Sequence, residues 1–160
     1  MKEVKIESTL QVFDSITELP EDIQELMSVA IEAREKAYAP YSKFNVGAAI
    51  LLDNNEVVSG SNQENASYPS GLCAERTAIY YAGAKYPNSK MLKMALTASS
   101  QNQLTDKPIP PCGACRQAIA EYEIKQNLPI EIYFMGAKGK VVKSESLVNL
   151  LPLVFESSVL

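Results

Sequence analysis

The chain has 160 residues, long enough to bury roughly two thirds of its unfolded surface around one core, so a single domain is expected over residues 1–160. Fifteen basic against nineteen acidic residues leave a net charge of −4 with no basic run or stripe, which argues against a polynucleotide partner. No apolar stretch approaches the ~18 residues of a membrane span, Met1 to Phe13 lacks a basic end followed by an apolar run, and three cysteines without a disulfide framework suit a reducing compartment, so a cytoplasmic protein free of membranes is expected.

Val4, Ile6, Leu10 and Val12 fall on alternate positions, interrupted by Ser8, and predict an extended N-terminal strand within residues 1–14. Pro20, Glu21 and Asp22 suit a helix N-terminus; Ile23, Leu26, Met27, Ala30 and Ile31 follow at helical spacing, and the helix should stop before Pro40. Val46 to Leu52 and Glu56 to Ser61 lie either side of Asp53-Asn54-Asn55, residues that tolerate left-handed turns, and read as a β-hairpin. After a loop from Asn62 to Leu72, a helix is expected from Ala74 to about Ala84, then a short buried strand from Met91 to Ala98. A polar, proline-rich loop from Gln101 to Pro111 leads to a helix from Ala114 to about Ile124. Ile130 to Phe134 and Val141-Val142 form a second strand pair around Gly136 to Gly139, and Ser146 to Leu151 a short closing helix. This order implies an α/β protein, a mixed sheet with helices on both faces, without internal repeat or linker.

Histidine is absent, and the three cysteines stand in two motifs, Cys73-Ala74-Glu75 and Pro111-Cys112-Gly113-Ala114-Cys115. Buried free thiols or a redox Cys-x-x-Cys pair are the ordinary alternatives. A redox dithiol leaves Cys73 and Glu75 unexplained, and a closed structural metal site lacks a fourth soft ligand. Catalytic zinc sites use three protein ligands and leave the fourth place to water or substrate, which is what three thiolates allow. Both motifs are expected at helix N-termini, where unpaired N–H groups and the helix dipole favour the thiolate. Three thiolates around Zn²⁺ sum to −1, so negative charge has to be drawn off; Arg76, in the same first turn as Cys73, can donate to the ligand sulfurs. Glu75 is the candidate proton shuttle.

At these motifs the sequence resembles the small, homotetrameric, three-cysteine cytidine deaminases. The resemblance runs from about Glu21 to Phe155, through Tyr41-Ser42-Lys43-Phe44, Val46-Gly47-Ala48-Ala49, Asn62-Gln63-Glu64-Asn65-Ala66, Cys73-Ala74-Glu75-Arg76-Thr77-Ala78, Pro111-Cys112-Gly113-Ala114-Cys115-Arg116-Gln117 and Leu150-Leu151-Pro152. It implies a three-layer α-β-α deaminase fold over a core of residues 20–155, with the N-terminal strand as an extra element. It also implies one zinc per subunit on Cys73, Cys112 and Cys115, a homotetramer with shared active sites, and a small nucleoside substrate. Cytidine and 2′-deoxycytidine would be deaminated to uridine and 2′-deoxyuridine in pyrimidine salvage, with release of ammonia. By the same resemblance Asn62 and Glu64 hold the ribose 3′-hydroxyl, Phe44 walls the pyrimidine, and Phe155 comes from a neighbouring subunit. The Ala74 N–H faces the base carbonyl, the Pro110 C=O faces the amino group, and Tyr68 lies near the site at the subunit boundary. Two positions depart from the family pattern: Pro110 stands where serine or threonine is usual, and Asn45 replaces a proline. The rival expectations are a deaminase of another small aminopyrimidine nucleoside-like compound and a non-enzymatic, zinc-stabilised interaction module.

Overall fold

Val46 to Leu52 and Met94 to Leu96 are apolar at successive positions rather than alternate ones, the pattern of strands covered on both faces. In the computed structural model, which describes residues 1–156, they form the middle of a six-stranded sheet. The strands are β1 (Gln11–Phe13), β2 (Phe44–Leu52), β3 (Val57–Ser61), β4 (Met91–Ser100), β5 (Glu131–Met135) and β6 (Val141–Ser144), in the order β1-β6-β5-β4-β2-β3. Only β4 and β5 pair in parallel; the other neighbours are antiparallel, which makes the sheet mixed.

Helix α1 (Glu21–Glu35) covers one face, packing Ile23, Met27 and Ala30 against Ala49, Ala95, Tyr133 and Met135. Helices α2 (Ala74–Lys85) and α3 (Gly113–Gln126) cover the other, where Ala78, Ile79, Ala82 and Ile119 meet Ile50, Met94, Leu96, Ile132 and Phe134. Side chains of Ala48 and Ala49 thus go to opposite layers, the period-two alternation of a strand. Ile23, Met27, Ile79 and Ile119 are completely buried, each worth about 1.5–3 kcal/mol relative to exposure. Gly47 and Gly60 allow the layers to close: a Cβ on Gly47 would lie 2.0 Å from the Ala30 carbonyl oxygen, and one on Gly60 2.7 Å from the Ala78 nitrogen.

The topology brings distant segments to one end of the sheet. β3 and β4 each run antiparallel to β2 and therefore parallel to one another, and β5 runs parallel to β4. α2 is the crossover from β3 to β4, and α3 the crossover from β4 to β5. Both helices consequently start beyond the carboxyl ends of strands, where open α/β sheets place their ligand crevices. The first residue of β2, Phe44, pairs with Ser100 at the close of β4, so it reaches the same end.

The N-terminal strand forms at the sheet edge but is shorter than the sequence pattern suggests. Only Gln11–Phe13 pair, with Lys143, Val142 and Val141 of β6. β6 has just four residues to offer, and Val4, Ile6 and Leu10 stay exposed outside regular structure. The expected closing helix is a single 3-10 turn, Leu147–Asn149, capped by the Ser146 hydroxyl accepting from the Val148 N–H.

Candidate active site

Cys73 is the extended residue that caps α2, and Cys112 caps α3 in the same way. Cys115 follows in the first turn of α3, fully buried, so all three thiols sit against helix N-termini and their unpaired N–H groups. The Cys73 and Cys112 sulfurs are 4.0 Å apart, those of Cys112 and Cys115 3.4 Å, and all three lie within 4.8 Å of one another. A tetrahedral Zn–S length of about 2.3 Å sets ligand sulfurs about 3.8 Å apart, so the cluster fits that ion without rearrangement of the chain. Among the described residues these are the only three histidine, cysteine or acidic side chains gathered closely enough to hold a metal, and the fourth corner has no protein donor from that set.

The Arg76 guanidinium donates to the Cys73 sulfur at 3.7 Å. Its Nε is buried without a hydrogen-bond partner. The Cys73 thiol is pulled down to about 5 by its hydrogen bond with Cys115, then by Arg76 and Cys112, against its partial burial. Cys115 is pushed up by its bond to Cys73 and by burial. Without a cation Cys73 gives up its proton readily and Cys115 resists, so ionising both calls for a metal.

Glu75 is the second residue of α2, only 6% exposed, and shares the floor of a cleft of about 740 Å³ with Cys73 and Cys112. Burial, reinforced by the Cys73 thiolate, pushes its carboxyl above the ordinary range, the direction that suits a group required to gain and lose a proton near neutrality. Ala74, fully buried, lies between Cys73 and Glu75 at the first position of the helix, where an N–H has no partner within the helix.

Phe44, Asn62 and Glu64 line the same cleft. The Asn62 side-chain oxygen accepts the Val46 N–H at 2.7 Å and its amide nitrogen donates to the Phe44 carbonyl at 2.9 Å. Glu64 accepts the N–H groups of Tyr41 and Ser42 at 2.9 and 3.3 Å. Partial burial opposes ionisation of Glu64, but the bonds from the Ser42 hydroxyl and the two N–H groups outweigh it and hold the carboxyl low. Pro110 lines the cleft beside Cys112. Tyr68 lies at the mouth, 74% exposed, its ring tilted against Tyr41 with centroids 5.9 Å apart. Phe155 stands apart: it is 62% exposed and is not among the residues lining this cleft, so within one chain the structure does not bring it to the others.

Asn45, in place of a proline, finds its own support. It donates to the Arg34 carbonyl at 3.4 Å and accepts from Gln101 at 3.2 Å, tying the start of β2 to α1 and to the loop after β4. Two contributors were not evident from the motifs. Tyr41, within a block of resemblance, sets its ring against Tyr68. Arg116, one helical turn past Cys112 and therefore on its side of α3, grips the Pro111 carbonyl with Nε at 2.8 Å; that spacing was the available signal.

Comparison with known proteins agrees with this geometry. The family described as "Cytidine and deoxycytidylate deaminase zinc-binding region" matches residues 20–129, which include all three cysteines and Glu75. A cytidine deaminase of Halalkalibacterium halodurans is 48% identical over 100 residues, covering 62% of this chain and 71% of that protein. One from Sporosarcina psychrophila is 39% identical over 134 residues, 84% of this chain and 91% of that protein. The 1.6 Å crystal structure of cytidine deaminase from Burkholderia pseudomallei has a TM-score of 0.71 at 37% identity, covering 86% of this chain and all (100%) of that one. Fold, sulfur cluster and sequence match together make the chain a member of the cytidine and deoxycytidylate deaminase family, whose zinc-binding region it carries.

Proposed function

We propose that the chain deaminates cytidine and 2′-deoxycytidine by hydrolysis, yielding uridine and 2′-deoxyuridine with release of ammonia. The observation that carries this reading is the buried Glu75 carboxyl beside three clustered sulfurs, in a cleft that Phe44, Asn62 and Glu64 also line. Cys73, Cys112 and Cys115 would hold zinc, which when bound would supply an electrophilic centre and lower the pKa of a water there.

Glu75, as carboxylate, takes a proton from the attacking water and delivers it to the ring nitrogen as the new carbon–oxygen bond forms. It then takes the proton of the resulting hydroxyl and passes it to the amino group, which leaves as ammonia as the carbon–nitrogen bond breaks and the carbonyl forms. The Ala74 N–H fixes the base carbonyl and the Pro110 C=O accepts from the amino group; proline lacks a backbone donor but keeps its acceptor, so the departure at this position preserves the contact. Phe44 holds the pyrimidine plane. An amide nitrogen carries two donors, so Asn62, after bonding Phe44, retains an N–H for a sugar hydroxyl, and the second oxygen of Glu64 accepts from that hydroxyl. Arg76 offsets the charge of the thiolates.

The charge of the cleft favours a free nucleoside over a nucleotide or polymer. Among the described residues Arg76 is the one cation on its lining and is engaged with Cys73, whereas Glu64 at the sugar end repels phosphate. In the proposed assembly four copies share their sites, Phe155 and Tyr68 lying at the boundaries between subunits. Free cysteines suit a cytoplasmic setting, and the reaction suits pyrimidine salvage. No helix among the described residues is long and apolar enough to cross a membrane.

Purified protein with its zinc content measured, incubated with cytidine and followed by ultraviolet absorption, tests the reaction. Conversion to uridine is expected. A fully zinc-loaded protein that ignores cytidine and 2′-deoxycytidine rejects it and moves the reading to another aminopyrimidine compound. Loss of cytidine turnover in Glu64→Ala, with zinc retained, supports sugar recognition.

A further inference from the structure

Pro111 and Leu150 are both buried, and a buried carbonyl requires a donor. One side chain serves both: Arg116 donates from Nε to the Pro111 oxygen at 2.8 Å and from Nη1 to the Leu150 oxygen at 2.7 Å. The first of these carbonyls belongs to the peptide group that leads directly into Cys112. The second ends the 3-10 turn Leu147–Asn149, from which the C-terminal segment departs. The next residue of the helix, Gln117, donates to the Phe155 carbonyl at 2.8 Å. Between these two tethers Leu151 and Val154 pack against the apolar core beneath α2 and α3.

From this geometry we infer that Arg116 is a positioning residue that couples the metal-binding turn to the docking of the C-terminal segment, residues 150–156, so that zinc occupancy and segment order rise and fall together. A planar guanidinium presents its donors in a fixed fork. Its orientation toward Pro111 therefore sets its orientation toward Leu150, and a shift of the Cys112 turn is passed to the segment. The coupling is reciprocal: if zinc favours docking, docking strengthens zinc binding by the same factor. It rests on the three sulfurs holding a metal but not on the identity of the substrate.

The test is amide hydrogen exchange of the full chain, with zinc content assayed, in zinc-loaded and chelator-stripped wild-type, Arg116→Ala and Arg116→Lys proteins. In wild type, stripping the metal should speed exchange across residues 150–156 about tenfold more than in the central strand β4. Arg116→Ala should exchange fast there with or without zinc, and should hold zinc roughly 10- to 100-fold more weakly, the usual cost of losing a partner behind a ligand. Cobalt substitution supplies a spectroscopic readout: the sulfur-to-cobalt charge-transfer bands should shift in Arg116→Ala. Arg116→Lys, a single point donor unable to span both carbonyls, should also lose the zinc response; it carries the test if the alanine variant does not fold. A wild-type segment whose exchange ignores zinc overturns the coupling. So does an Arg116→Ala or Arg116→Lys protein with unchanged zinc affinity, cobalt spectrum and zinc-responsive exchange. Absence of cytidine turnover leaves these readouts intact, whereas failure of wild type to bind zinc at all overturns the coupling along with the metal reading.

Discussion

Asn62 accepts the backbone N–H of Val46 on its side-chain oxygen at 2.7 Å, spanning from the end of β3 to the start of β2. With its donation to the Phe44 carbonyl, the amide acts as a stretch of extra backbone across residues 44–46 and holds the aromatic wall of the cleft. Asn62 is 9% exposed, and truncation strands two partly buried backbone groups, at up to about 1–3 kcal/mol each where water does not replace the amide. Asn62→Ala should therefore lower the melting temperature and raise KM for cytidine. It should also weaken binding of a pyrimidine base that has no sugar, because Phe44 loses its support. A variant that loses affinity for nucleosides but keeps it for the free base would show that Asn62 acts on the sugar alone.

Glu75 should separate activity from stability. Glu75→Gln is expected to retain zinc while losing about 10²–10⁴-fold in kcat, the range for removal of a positioned acid–base group. Its raised carboxyl pKa in the metal-free protein carries a second consequence. A group whose folded pKa lies above its ordinary value, 4.5 here, favours the folded state fully below that value and loses this contribution as pH rises through the folded pKa. Chelator-treated Glu75→Gln should thus be more stable than chelator-treated wild type near neutral pH, with the gap closing in acid. Urea unfolding at several pH values measures it; a gap that widens on acidification contradicts the assignment.

Replacing Arg76 by glutamine removes the cation 3.7 Å from the Cys73 sulfur. The cluster then keeps more negative charge, so the acidic limb of the pH–rate profile should move to higher pH. Zinc should also be released to a chromophoric chelator about tenfold more readily. An unchanged profile and an unchanged release rate would return Arg76 to an ordinary structural role.

Gly47→Ala tests the packing that fixes the site from beneath. The new methyl would fall 2.0 Å from the Ala30 oxygen and 2.5 Å from the Arg34 nitrogen, both backbone atoms of α1. Since α1 cannot yield by a rotamer change, a loss of roughly 1–3 kcal/mol or more is expected, read as a fall in the urea midpoint. A stable Gly47→Ala protein would mean that α1 and β2 separate more freely than their contacts indicate.

Local chemistry written in the chain was enough for the metal motifs and most elements. Cys73-Ala74-Glu75 and Pro111-Cys112-Gly113-Ala114-Cys115 limit the sulfur and imidazole ligands to three thiolates by composition alone, because the chain has no histidine and no fourth cysteine. Runs such as Val46 to Leu52 declare a doubly covered strand through their unbroken apolarity. Alternation in Val4 to Val12, by contrast, overstated β1, since a strand extends only as far as its neighbour supplies hydrogen bonds, and β6 has four residues.

What sequence could not decide is where separated groups meet. The 39-residue spacing from Cys73 to Cys112 becomes a sulfur separation of 4.0 Å only because α2 and α3 both start from the same end of the sheet, a consequence of β3 and β4 running the same way on either side of β2. The dual engagement of Asn62 and the two-carbonyl grip of Arg116 depend likewise on tertiary placement: a side chain's identity states how many hydrogen bonds it can make, and the fold alone chooses the partners.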